Sequence, residues 1–162
     1  MNSIGFPELL QAVTGCCGSL GFSLLFNVRG WKLIPAALGG LLSWGVCVLL
    51  IPIFPPEPIR YIFATAILTF YAEFMARRCR CPATVFLTSG FIPLIPGGSL
   101  YYTLNFAMRQ DWPAFFHKAI ATLLLMIAMA AGILIAMTVV HIFFSIAKKC
   151  RQHECAGKED TL

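Results

Sequence analysis

The sequence is short of charge. Of its 162 residues, 12% are Asp, Glu, Lys or Arg; only seven are acids, and histidine occurs three times. A soluble domain carries about 25% charged residues, so this chain could not cover a water-facing surface of its size. Disorder, a nucleic-acid-binding domain and a water-soluble enzyme are excluded on that ground. Catalytic signatures are also missing: Gly-x-Ser-x-Gly, His-Glu-x-x-His and a phosphate loop do not occur. An ATPase is thereby excluded, no enzymatic activity is expected, and no cofactor is implied. Internal repeats and low-complexity segments are absent. What is present is 59% hydrophobic residues and a mean hydropathy of +0.80, the composition of an integral membrane protein.

The placement of the few charges is more informative than their number. Residues 9–28, 33–56, 61–72, 81–108 and 119–147 carry none. A membrane-crossing helix needs about 20 mostly apolar residues, so these runs predict an all-α polytopic bundle of five spans, at 8–26, 34–53, 59–77, 83–108 and 115–147. Proline supports the count independently. Pro7, Pro35, Pro58, Pro82 and Pro113 each stand at or near a predicted start, where the missing N–H is harmless. The first span is the weakest, with Gln11, Thr14 and three glycines. It lacks the basic start and clean cleavage site of a signal peptide and is expected to be a helix.

Lys and Arg give the orientation. Arg29 and Lys32 follow the first span, Arg77, Arg78 and Arg80 the third, and Lys148, Lys149, Arg151 and Lys158 the fifth. The loops after spans two and four offset their base with an acid, Arg60 with Glu57 and Arg109 with Asp111. Basic loops stay in the cytoplasm, so the N-terminus is expected outside and the C-terminus inside. The net charge of +5 is then a topology signal and not a nucleic-acid footprint. One transmembrane domain, 1–147, and a short basic tail, 148–162, are expected.

In lipid, helices associate through close packing of small residues. Ala36 with Gly40, Gly39 with Ser43, Ala128 with Gly132 and Ala136, and Gly15 with Ser19 recur at four-residue spacing, with Gly18 and Gly21 beside the last pair. These are predicted contact faces.

Two stretches stand out as candidates for function. The fourth span contains Gly90, Pro93, Pro96, Gly97, Gly98 and Ser99, which an unbroken helix cannot hold. Broken backbone at membrane depth is tolerated only inside protein or beside water, and transporters use such breaks as binding sites. The six residues are therefore candidates for contact with a small anionic or zwitterionic substrate, with Ser99 expected to cap the second half-helix. A simple kink or an outer turn is the other reading. In the third span, Thr65, Thr69 and Glu73 share one face, continued by Arg77. Glu73 is read either as a proton or substrate group on a transport path or as an i,i+4 partner of Arg77.

Among seven cysteines, Cys16, Cys17 and Cys47 lie in spans as small packing residues. Cys79, Cys81, Cys150 and Cys155 fall on the cytoplasmic side near His153. Their spacing is not that of a zinc site, and no metal is expected. His141, on the inner half of the fifth span, is read as an interfacial or hydrogen-bonding residue.

Residues 26–45 (FNVRGWKLIPAALGGLLSWG), 71–78 (YAEFMARR), 82–84 (PAT) and 92–102 (IPLIPGGSLYY), in that order, resemble the smaller component of the threonine/serine exporter (ThrE-type) family. The resemblance covers roughly residues 10–145. It implies the second membrane half of that family's long form, acting with a larger membrane partner that supplies an inverted first half. The implied activity is secondary export of small amino acids such as threonine and serine, or of dicarboxylates such as succinate, across a bacterial cytoplasmic membrane. The pair Thr88–Ser89 departs from the family pattern and bears on substrate more than on fold. A non-transporting scaffold is the competing function.

Overall fold

The computed structural model describes residues 6–159, with side chains at 10, 11 and 13–146. The described residues form six α-helices: α1 Phe6–Leu25, α2 Leu33–Leu49, α3 Glu57–Cys79, α4 Ala83–Phe91, α5 Gly97–Met108 and α6 Trp112–Glu159. Single 3-10 turns at Gly30–Lys32 and Ile92–Leu94 lead into α2 and out of α4. The protein is a helical, multi-pass membrane bundle.

Proline punctuates the helices as expected. Pro58 lies in the first turn of α3, Pro35 and Pro113 near the starts of α2 and α6, and Pro82 is the residue before α4. The C-terminal ends have their own local cause. Asn27, Arg80 and Gln110 adopt left-handed φ of 58°, 52° and 58°. The amide that follows each reaches back to Ser23, Ala76 and Phe106 at 3.0–3.1 Å. This Schellman pattern satisfies end carbonyls and reverses the chain. At the last reversal Asp111 accepts a bond from the Ala114 amide through Oδ1 at 3.4 Å, capping α6.

Three helical stretches are long and apolar enough to cross a membrane: Gly30–Leu49, Glu57–Cys79 and Trp112–Ile146. The pair Ala83–Leu94 and Gly97–Met108, bent by 52°, makes a fourth if taken as one span. The expected first span is helical, and the apolar helix found in it among the described residues is Val13–Leu25. The described residues thus hold three spans, or four with the bent pair, where five were expected.

α1 nevertheless runs antiparallel along α2. Gly15 lies beside Trp44, and Ser19 lies beside Gly40. α2, α3 and α4 pack on one another, α6 lies along α3, and α5 packs on α6. Toward the end that carries Arg77 and Arg78, Ala36, Ala72, Ala76 and Phe86 form the core. Toward the other end the core is Cys47, Ala64, Leu68, Leu94 and Met129.

The small residues are the contact points, as their spacing predicts. A Cβ on Gly40 would overlap the Ser19 side chain, one on Gly90 would meet Leu68 Cδ1 at 2.5 Å, and one on Gly132 would meet the Ile62 carbonyl at 2.5 Å. Gly18 and Gly21 differ, having no neighbour within 4 Å of such a Cβ. Hydroxyls add short bonds between helices. Tyr71 donates to the Pro35 carbonyl at 2.8 Å, tying α3 to the start of α2. Tyr71→Phe should cost about 1 kcal/mol, the net value of one such bond, seen as a small drop in thermal stability in detergent.

The basic tail continues α6 as helix to Glu159. Its side chains, including Cys150, His153 and Cys155, lie outside the described residues.

Candidate functional site

The break in the fourth span has a stereochemical origin that can be followed atom by atom. In an α-helix the Ser89 carbonyl would accept from the amide of residue 93, and the Ile92 carbonyl from that of residue 96. Both positions are proline, without an N–H. The Ile92 carbonyl is satisfied by tightening, taking the Ile95 amide at 3.2 Å. The Ser89 carbonyl turns to another helix and accepts from Ser19 Oγ of α1 at 2.7 Å. Beside it, the Gly90 carbonyl accepts from Ser43 Oγ of α2 at 2.8 Å. Ser19, Ser43 and Ser89 are fully buried. The break is therefore enclosed by protein, the condition for irregular backbone at membrane depth.

Past the break, Pro96 has φ −75° and ψ 61°, and the Gly97 amide bonds the Ile95 carbonyl at 2.7 Å. This is an inverse γ-turn. Helix α5 starts there at 52° to α4. The expected cap does not form: Pro96 precedes the helix, no side chain caps it, and Ser99 stands third within it. The Ser99 carbonyl instead accepts from Thr103 Oγ1 at 2.8 Å. Proline at the N-cap position leaves the turn to the backbone, so the Ser99 hydroxyl is not drawn back.

The six candidate residues of this segment are not equivalent. Gly90 is sealed between Leu68 and Gly39, and Leu94 next to the break is fully buried. Pro96 is buried and Pro93 half-buried, with Pro93 against Gly15. Gly97 and Gly98 are exposed, with nothing within 4 Å of an added Cβ, and Ser99 is half-buried.

The stripe on α3 divides in the same way. Thr65 and Thr69 are buried, and their hydroxyls donate within their own helix, to the Tyr61 carbonyl at 2.8 Å and the Thr65 carbonyl at 2.7 Å. Thr65 Oγ1 lies where a side chain on Gly132 would stand. Glu73 is the open member. Its carboxylate is 3.6 Å from Arg77 Nη2, the i,i+4 pair that the spacing suggests. The Arg77 guanidinium carbon stands 3.3 Å above the Phe144 ring, an orientation that favours a cation. Glu73 also borders two cavities. One of about 320 Å³ lies against Phe70, Val140 and Phe143. The other, about 510 Å³ and open, is shared with Arg80 and Pro82. An acid bordering both an apolar cavity and a basic mouth has the chemistry to exchange a proton or hold a cationic group.

The family whose model describes a threonine/serine exporter, ThrE, matches residues 11–139. The chain belongs to the threonine/serine exporter family. The match takes in α1 to α5 and most of α6, and so both the break and Glu73. This exporter family is a family of membrane transporters, which accords with the absence of catalytic signatures. No curated protein and no solved structure matches the chain.

Sequence reading placed Arg60 in a loop paired with Glu57. Both stand in the first turn of α3, and the Arg60 side chain is only 14% exposed. Arg60 does lie just past the second charge-free run, as a loop charge would. Its burial depends on α1 and α2 closing over it, which spacing does not reveal.

Proposed function

We propose that this exporter-family chain is one half of a two-component secondary transporter of the bacterial cytoplasmic membrane. It exports threonine, serine or a dicarboxylate such as succinate, driven by the proton gradient. The enclosed helix break carries the reading. Serines from two other helices take up the carbonyls at the break, while Gly97, Gly98 and Ser99 remain uncovered on its far side. In this reading Gly90, Pro93 and Pro96 shape the break, and Gly97, Gly98 and Ser99 meet the substrate. Thr65 and Thr69 hold α3 against α6 beside the path, and Glu73 carries the proton.

The larger membrane component supplies the inverted half. A five-crossing chain with its N-terminus outside fits that arrangement, and α1 lying along α2 supports its crossing. The competing scaffold reading is favoured by one observation: Gly90, Thr65 and Thr69 are filled by packing, as structural residues would be.

The uncovered glycines separate the two readings. An added side chain at Gly97 or Gly98 meets open space, so Gly98→Leu should insert and fold normally. Export of threonine, serine and succinate would be measured from loaded cells carrying this chain, the larger component, or both. The exporter reading expects export only with both chains, and at least tenfold less with Gly98→Leu at equal membrane level. Undiminished export by the variant would leave the break as a kink.

A further inference from the structure

At the end of the bundle away from Arg77 and Arg78, α1, α2 and α3 border a half-open cavity of about 180 Å³ that the functional reading above does not use. Gln11, Trp44, Glu57, Arg60 and Tyr61 line it. Two of its donors are buried without a partner among the described residues: the indole Nε1 of Trp44 and the Nε of Arg60. Buried donors are almost always paired, so two unpaired ones lining one cavity call for a partner, a water or a bound group. Glu57, the acid described in the lining, does not meet this need. Glu57 Oε1 is 3.9 Å from Arg60 Nη2, beyond hydrogen-bond length, and the Glu57 side chain is 65% exposed.

Arg60 stands in the first turn of α3, one turn from Ala64, which shares a core cluster with Met129 of α6.

The chemistry of the lining selects a ligand. A planar guanidinium and an indole N–H on one side suit a carboxylate. A carboxylate at the rim, Glu57, suits an ammonium group and repels a second carboxylate. The space equals about six waters at roughly 30 Å³ each, room for a small amino acid and too little for a drug-sized ligand.

We propose that this cavity is a binding site for the zwitterionic head of a small amino acid, with the carboxylate on Arg60 and Trp44 and the ammonium on Glu57. The proposal rests on the exporter reading and narrows it, favouring threonine and serine over succinate.

The test measures two quantities on the same cells: export of threonine from the two-component system, and equilibrium binding of labelled L-threonine to the membranes, with succinate as competitor. The variants are Arg60→Gln, Trp44→Phe and Glu57→Gln. Trp44→Phe keeps an aromatic ring and removes a donor that has no partner among the described residues, and its melting temperature in detergent checks that the smaller ring leaves the fold intact. The expected result is threonine binding weakened tenfold or more by Arg60→Gln and Trp44→Phe, with export reduced in step. Glu57→Gln should weaken threonine binding and let succinate compete where it does not in wild type. Wild-type binding and export in Arg60→Gln and Trp44→Phe would overturn the site while leaving the exporter reading intact. Export of succinate without threonine or serine would overturn this site and leave the exporter reading intact, and failure of the wild-type pair to export any of the three would overturn both.

Discussion

Gly132→Ala is expected to destabilise the protein by about 1–3 kcal/mol, the usual cost of overpacking a filled interior. Gly132→Leu should prevent α3 and α6 from docking as they do. At Gly132 the obstacle is main chain as well as side chain. An added Cβ would stand 2.5 Å from the Ile62 carbonyl oxygen and 3.1 Å from its α-carbon, besides overlapping Thr65 Oγ1. A hydroxyl can rotate away, but a helix backbone must move as a body. In lipid the loss is not recovered elsewhere, since close contact itself holds helices together.

Gly45 supplies the control. Nothing lies within 4 Å of its added Cβ, so Gly45→Ala should be neutral or gain up to about 1 kcal/mol from helix propensity. In detergent, Gly132→Ala should melt roughly 2–12 °C below wild type, at about 2–4 °C per kcal/mol for a chain of this size. Gly45→Ala should melt at or above wild type. Equal melting of the two variants would mean that the α3–α6 contact is not a close-packed one.

The second expected result is a coupling between Ser19 and Pro93. Ser19→Ala removes the one donor among the described residues that reaches the Ser89 carbonyl, at a buried position where an unsatisfied acceptor costs about 1–3 kcal/mol. Pro93→Ala returns an amide to the position from which an α-helix would satisfy that carbonyl. In the Pro93→Ala background Ser19→Ala should therefore cost less, by about 1 kcal/mol or more, a coupling typical of residues sharing one bond network. Thermal unfolding of the two single variants and the double variant measures it. Additive effects would show that the Ser89 carbonyl does not depend on Ser19.

Much of the fold was legible in the sequence because membranes impose coarse rules. Long charge-free runs must be helices, since lipid cannot satisfy a bare backbone. Proline at a helix start and small residues four apart marked where α2, α3, α4 and α6 begin and touch. The i,i+4 pair of Glu73 and Arg77 follows from helix geometry alone. The first span was less legible, because Gln11, Thr14 and three glycines interrupt its apolar run, and its packing along α2 is what places it in the bundle. The family could also be read, from ordered segments such as residues 92–102.

Composition and spacing thus determined by themselves that this is a helical membrane protein, where its backbone must break and which residues could pack closely. Tertiary structure decided which polar groups are used up and which remain open. Pro93 guarantees an orphan carbonyl at Ser89, but nothing local names Ser19, seventy residues away in the chain, as its donor. Thr65 and Thr69 look like a polar path until α6 closes on them, whereas Arg60 looks like a surface charge until α1 and α2 enclose it. The physical reason is the same in each case. Hydrogen bonding and burial belong to pairs of helices, and helix pairing depends on surfaces that periodicity describes only one helix at a time.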